Sequence, residues 1–183
     1  MTAPALTDHL FTFDEWTALP AYERFKVEVV EGVLNVSPRG HALHQRAILK
    51  LASQLDSVLP RQLCALGEVD VVLTRTPLSV RVPDVVVVDS ELAQTNPARF
   101  EAADVRLAVE ILSDGTRRVD RVMKFAEYAE AGIPQYWMIE LSPPTSLRAF
   151  TSVDGRYEAD RNTSRMSVAG HPVDLALDLL TER

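Results

Sequence analysis

Two acids stand inside apolar runs of strand length. Asp84 lies in residues 81–88, Arg-Val-Pro-Asp-Val-Val-Val-Val, and Glu110 in residues 107–113, Leu-Ala-Val-Glu-Ile-Leu-Ser. Four consecutive valines predict a strand covered on both faces, because β-branched side chains fit a pleated, packed surface. A carboxylate there is costly unless it is paired or neutralised. Two such acids on neighbouring strands repel each other unless a cation sits between them. That pattern points to a divalent metal site in which Asp84 and Glu110 hold one Mg²⁺ or Mn²⁺, with waters and a substrate phosphate completing an octahedron. A lysine nearby would add a second cation at the developing anion. Lys124 is the candidate, on the helix that follows the Glu110 run; Asp120 and Tyr128, four residues to either side, share its face in an α-helix. The plainer alternative is two solvated strand-end acids, with Asp120–Lys124 a surface ion pair of about 0.3–0.5 kcal/mol.

Other residues divide between chemistry and packing. Glu28 interrupts an apolar strand and is either a third carboxylate of the site or a solvent-facing hairpin residue. His41 and His44 open a helix, where a histidine is a surface or capping group, a ligand or a base. Tyr128, Tyr136 and Trp137 read as core or as the wall of a substrate groove, and Cys64 as packing. Ser113 has no Gly-x-Ser-x-Gly surround, which argues against a serine hydrolase. Glycine-rich phosphate loops are absent, which argues against a nucleotide site of the P-loop or dinucleotide-binding kind.

The elements that would carry these groups follow from periodicity and punctuation. Thr12 and Glu15 form a capping-box pair ahead of a short helix ending near Leu19-Pro20. Residues 25–36 predict a hairpin about Glu31-Gly32. Ile48, Leu51, Ala52, Leu55, Val58 and Leu59 recur at helical spacing over 41–59. Strands are expected over 68–74, 80–88 and 107–112, with one helical turn in the polar stretch 89–104. A helix over 117–131, with Val119, Val122, Ala126 and Ala129 as its apolar stripe, ends at Gly132 and Pro134. A strand over 135–141, a second hairpin about Asp154-Gly155 and a short tail complete one domain spanning 1–183.

The chain has 183 residues, 46% hydrophobic and 25% charged, as expected of a soluble α/β domain with its own core. One cysteine excludes an internal disulfide and a cysteine-based zinc site. No apolar run approaches a membrane span and no signal peptide is evident, so a cytoplasmic location is expected. The net charge of −7 lowers the expectation of a nucleic-acid partner. Arg117, Arg118 and Arg121 nevertheless cluster at one helix start, where a basic patch could contact DNA.

Val27-Glu28-Val29-Val30-Glu31-Gly32, Ser37-Pro38, His44, Val82-Pro83-Asp84, Val109-Glu110-Ile111-Leu112-Ser113, Asp120, Lys124, Tyr128 and Gly132-Ile133-Pro134-Gln135-Tyr136-Trp137 occur in that order. From about Phe13 to Asp160 this series resembles the Uma-two family of restriction-endonuclease type, placed in the PD-(D/E)XK nuclease superfamily and formerly a domain of unknown function. The resemblance implies a restriction-endonuclease-like α/β core, a central mixed β-sheet flanked by helices with an N-terminal β-hairpin, and metal-dependent hydrolysis of phosphodiesters. Asp84 matches the aspartate of the Pro-Asp element, Glu110 the second acid, and Glu28 an N-terminal acid of the pattern. Leu112 stands where the superfamily usually has lysine; similar families supply that lysine from the following helix, where Lys124 lies. Asp114 replaces a proline of the pattern.

Two readings follow. One is a Mg²⁺- or Mn²⁺-dependent DNA endonuclease, homodimeric when both strands are cut. In it Asp84, Glu110 and the Ile111 carbonyl are ligands, Lys124 serves the phosphate, and Arg117, Arg118 and Arg121 contact the DNA backbone. The other is a catalytically inactive relative that uses the fold as a nucleic-acid-binding or protein-interaction module.

Overall fold

The computed structural model describes residues 9–20, 25–112, 119–160 and 166–182, with backbone alone for 119–121. It opens with α1 (Phe13–Thr17), capped as expected: Thr12 Oγ1 accepts from the Glu15 N–H and the Glu15 carboxylate accepts from the Thr12 N–H. β1 (Phe25–Val30) and β2 (Val33–Pro38) pair antiparallel through Glu31 (φ 48°) and Gly32 (φ 83°). Positive φ at both central residues is what a tight hairpin turn needs to match strand twist. α2 (Ala42–Val58) buries Ala47, Ile48, Leu51 and Leu55; the expected stripe holds at Ile48, Leu51, Leu55 and Leu59, while Ala52 is half-buried and Val58 is exposed at the helix end.

The next stretch departs from expectation. β3 (Leu63–Gly67) is a strand that the sequence reading did not separate from a loop. β4 (Val71–Arg75) follows, and the single strand expected over 80–88 is two: β5 (Leu78–Arg81) and β6 (Val85–Asp89). They lie in different sheets, and Val82-Pro83-Asp84 is the crossover. Proline cannot donate to a ladder, so pairing stops there. The polar excursion holds α3 (Ser90–Gln94), the two-residue strand β7 (Phe100–Glu101) and a 3₁₀ turn.

β8 (Val105–Leu112) carries Glu110. The following helix is α-helical only as α4 (Phe125–Glu130); Val119–Lys124 forms π-helical turns. This corrects the expected stripe. The wider turn shifts the phase ahead of Phe125, so Val122 is 63% exposed whereas Lys124 is buried, and within α4 Ala126 is exposed as well, Tyr128 and Ala129 forming the buried face. Gly132 (φ 81°) stops the helix as predicted. β9 (Gln135–Glu140), β10 (Ser146–Val153), β11 (Arg156–Ala159), β12 (Met166–Val168) and β13 (His171–Val173) complete the chain, with a 3₁₀ turn at Leu177–Leu180.

A mixed six-stranded sheet, ordered β11-β10-β9-β8-β6-β3, is the centre, with β8 and β9 parallel. A five-stranded sheet, β2-β1-β5-β4-β7, abuts it, and β12-β13 form a small pair. Alternation along β6 explains the valine run. Val85 and Val87 pack with Leu51, Leu55 and Trp137 on one face, and Val86 and Val88 pack with Ala108, Leu112, Tyr128 and Tyr136 on the other. Among the described residues no helix is long and apolar enough to cross a membrane.

Candidate active site

The crossover places the first acid. β6 and β8 run antiparallel with Val85 opposite Val109; continued one residue, this register sets Asp84 opposite Glu110. The side chain agrees, since Asp84 Oδ2 accepts from the Ile111 N–H at 2.8 Å. Both acids are 2% exposed. They are interior groups and not solvated strand ends, which settles the first alternative against the surface reading.

Lys124 answers Glu110. Its ammonium donates to Glu110 Oε1 at 2.8 Å and lies 3.4 Å from Glu28 Oε1, and the Tyr128 hydroxyl donates to the same Glu110 oxygen at 2.8 Å. Burial, together with the charges of Glu110 and Glu28, pushes the Tyr128 pKa well above its ordinary value, so the phenol remains a donor. Leu112 packs in the apolar cluster beside Tyr128 and Met138. Two residues after Glu110 the strand is thus core, and the ammonium that meets Glu110 arrives from the helix.

Glu28 joins the site and does not face solvent. Its Oε1 accepts from the Val82 N–H at 3.1 Å and its Oε2 from Arg81 Nη1 at 3.1 Å. Arg81, 1% exposed, also grips Glu127 with two bonds of 2.7 Å. Burial opposes the Glu28 charge, but Lys124 and Arg81 outweigh it and lower the pKa.

Around Asp84 stand two basic groups: His44, one of the candidates, and Lys26, which the sequence pattern did not single out. Lys26 Nζ donates to Asp84 Oδ1 at 2.7 Å and lies 3.8 Å from Glu68. His44 Nε2 is 3.3 Å from the same Asp84 oxygen. Burial would raise the Asp84 pKa, yet the His44 hydrogen bond and the Lys26 charge hold it well below the usual carboxylate range. The same pairing, working against burial, raises His44 and Lys26. Of the two helix-start histidines, His44 therefore reaches the site; His41 is the exposed N-cap residue of α2. Tyr136 and Trp137 are fully buried, as core, and Cys64 is half-buried. Arg117 and Arg118 lie outside the described residues, as do the side chains of Asp120 and Arg121.

Lys26 and Glu127 were legible after all. Lys26 precedes Glu28 by two residues and so shares its face of β1, and Glu127 follows Lys124 by three, one helical step away. Arg81 begins the same eight-residue run as Asp84.

The donor set fits a hard divalent ion. The Asp84 and Glu110 carboxylates offer oxygen, the Asp84 carboxylate already holds a cation in the Lys26 ammonium, and Mg²⁺ or Mn²⁺ needs few protein ligands because water and substrate supply the rest. Among the described residues no group of three or more His, Cys, Asp or Glu side chains is placed to hold a metal ion, so water and substrate would have to complete any coordination shell that the two acids begin.

A mixed sheet with helices on its faces and paired interior acids at a strand crossover defines a restriction-endonuclease-like fold. The chain belongs to the Uma2 family, described as "Putative restriction endonuclease", whose model matches residues 13–179. Among solved structures it is similar to the crystal structure of "a putative nuclease belonging to DUF820" from Anabaena variabilis ATCC 29413. The identity is 22%, the TM-score 0.68, and the match covers 86% of this chain and 89% of that one, which shows a shared fold. No curated protein matches the chain.

Proposed function

We propose that the protein is a metal-dependent endonuclease that hydrolyses phosphodiester bonds of DNA in the cytoplasm, as a homodimer where both strands are cut. The observation that carries this reading is the Asp84 carboxylate seated on the Ile111 N–H, opposite Glu110. It seats an interior acid of the crossover on the strand that carries the other, in a chain of the restriction-endonuclease-type family. Asp84, Glu110 and the Ile111 carbonyl would hold Mg²⁺ or Mn²⁺. Such an ion, when bound, supplies a water of lowered pKa and neutralises charge on the phosphate.

The chain's own residues prepare that point. Lys124 and Tyr128 fix one oxygen of Glu110. The Val82 N–H and Arg81 fix Glu28, which in turn faces the Lys124 ammonium. His44 stands at Asp84, where it can take or return a proton. Arg117, Arg118 and Arg121 would contact the DNA backbone and make binding salt-sensitive.

The test is nicking of supercoiled, linear and single-stranded DNA with and without Mg²⁺. Asp84→Ala and Glu110→Ala should abolish metal-dependent cleavage, and full activity in Glu110→Ala removes the mechanism. Leu112 in the apolar cluster and the net charge of −7 favour the second reading, an inactive nuclease-fold relative that serves as an interaction or nucleic-acid-binding module. Mn²⁺ separates the two, since a competent site gains thermal stability on binding the ion and a vestigial one does not.

A further inference from the structure

We propose that Lys26 is the exchangeable cation of this site. It neutralises Asp84 in the metal-free protein, yields that carboxylate to a divalent ion, and then offers its ammonium to a phosphate of the substrate. The inference rests on the nuclease reading above.

Three observations carry it. Lys26 Nζ sits 2.7 Å from Asp84 Oδ1, the oxygen an entering ion would take. A second acceptor is at hand, because Glu68 Oε1 is 3.8 Å from the same ammonium, so displacement does not strand the charge. Lys26 also lines an open cavity of about 440 Å³, together with Phe25, Arg39, Glu68, Asp70 and Arg99. It therefore stands between the interior acids and a space large enough for part of a nucleic-acid strand. Lys124 differs: it is 4% exposed and its ammonium is shared by Glu110 and Glu28. Lys124 positions the acids, whereas Lys26 can exchange partners. The exchange makes and breaks ion pairs only.

The test reads two affinities that the proposal moves in opposite directions. Titration calorimetry of EDTA-stripped protein with Mn²⁺ should show Lys26→Met binding about tenfold tighter than wild type, the factor that 1.4 kcal/mol of lost competition gives. Anisotropy with a labelled oligonucleotide in Ca²⁺ should show Lys26→Met losing about one unit of the slope of log affinity against log salt, the signature of one phosphate contact. A lysine that merely supports the fold would weaken both.

Lys26→Arg keeps the salt slope but binds Mn²⁺ severalfold more weakly, because a guanidinium grips a carboxylate with two bonds. It decides the matter alone should Lys26→Met not fold. Unchanged or weaker Mn²⁺ binding in Lys26→Met, an unchanged salt slope, or wild-type Mn²⁺ affinity in Lys26→Arg overturns the role of Lys26 while leaving the nuclease reading standing. Wild-type protein that takes up neither Mn²⁺ nor oligonucleotide refutes the nuclease reading itself, and the exchange with it.

Discussion

Lys124→Met should unfold the protein far more readily than loss of a surface lysine would. The ammonium is 4% exposed, 2.8 Å from Glu110 Oε1 and 3.4 Å from Glu28 Oε1. At an effective dielectric of about 20, each attraction is on the order of 5 kcal/mol before desolvation is set against it. Desolvation cancels most of that in the intact pair, but the mutant keeps the cost and loses the attraction. Glu28 retains Arg81 and the Val82 N–H, and Glu110 retains the Tyr128 hydroxyl, so both lose an ammonium that burial makes hard to replace. Breaking a buried pair from one side costs about 3–5 kcal/mol. For a domain of this length that lowers Tm by roughly 6–20 °C.

Urea unfolding followed by circular dichroism at neutral pH measures the loss. Glu110→Leu combined with Lys124→Met should recover much of it, since removing both partners leaves no uncompensated charge. A single-mutant loss below about 0.5 kcal/mol, the range of an exposed helix pair, would refute the burial of Lys124 and the reasoning with it.

Three further outcomes are expected. The His44 imidazole, held above its ordinary pKa of 6.5 against burial by Asp84, should titrate by NMR above that value and fall towards it in Asp84→Asn; an unmoved resonance would break the pairing. Because its folded pKa is raised, the pair's stabilisation is fully present below pH 6.5 and lost as pH climbs through the folded pKa, so His44→Gln should cost more at pH 6 than at pH 9 in chemical denaturation. Arg81→Met strips a partner from both Glu28 and Glu127 and should cost about 3 kcal/mol or more, whereas a loss near zero in urea would show that the guanidinium was replaceable by packing. Gly32→Ala places a Cβ 2.7 Å from that of Leu10 at φ 83°, so a thermal melt should report about 1–3 kcal/mol of strain, and an unshifted Tm would contradict the turn.

Much of the site was legible because interior charge is conspicuous against apolar surroundings. Asp84, Glu110 and Glu28 each interrupt an apolar run, and the structure sets Glu110 and Glu28 against Lys124 and Asp84 on the backbone N–H next after Glu110. What escaped was whatever depended on tertiary pairing. Arg81 and Asp84 read as one strand because valines recur on both sides of them from Val80 to Val88, and periodicity cannot say that the chain changes sheets partway. Lys26 shares a strand face with Glu28, but its partner Asp84 lies 58 positions away, and the strand pattern does not name that pairing. The stripe through Val119, Val122, Ala126 and Ala129 assumed 3.6 residues per turn, and the π-helical turns withdraw that assumption ahead of Phe125.

The crossover also explains why the acids are hard to separate into structural and functional groups. A chain leaving one sheet for another exposes backbone donors that neither ladder satisfies. Here the Val82 N–H is taken by Glu28, while the Asp84 side chain takes the Ile111 N–H and the Asp84 carbonyl accepts from Glu68 N. Each carboxylate thus completes the backbone bonding of the junction while it faces cations, Asp84 with its other oxygen and Glu28 with both. Truncation to Ala removes both roles together, and lost activity in Asp84→Ala or Glu28→Ala could come from a disordered crossover. Asp84→Asn and Glu28→Gln keep an oxygen for the backbone N–H and remove only the charge. If the acids work through charge, these isosteres fold to a cooperative state yet lose both Mn²⁺-induced stabilisation and cleavage; if either isostere keeps both, the charge of that acid is dispensable and its place is architectural.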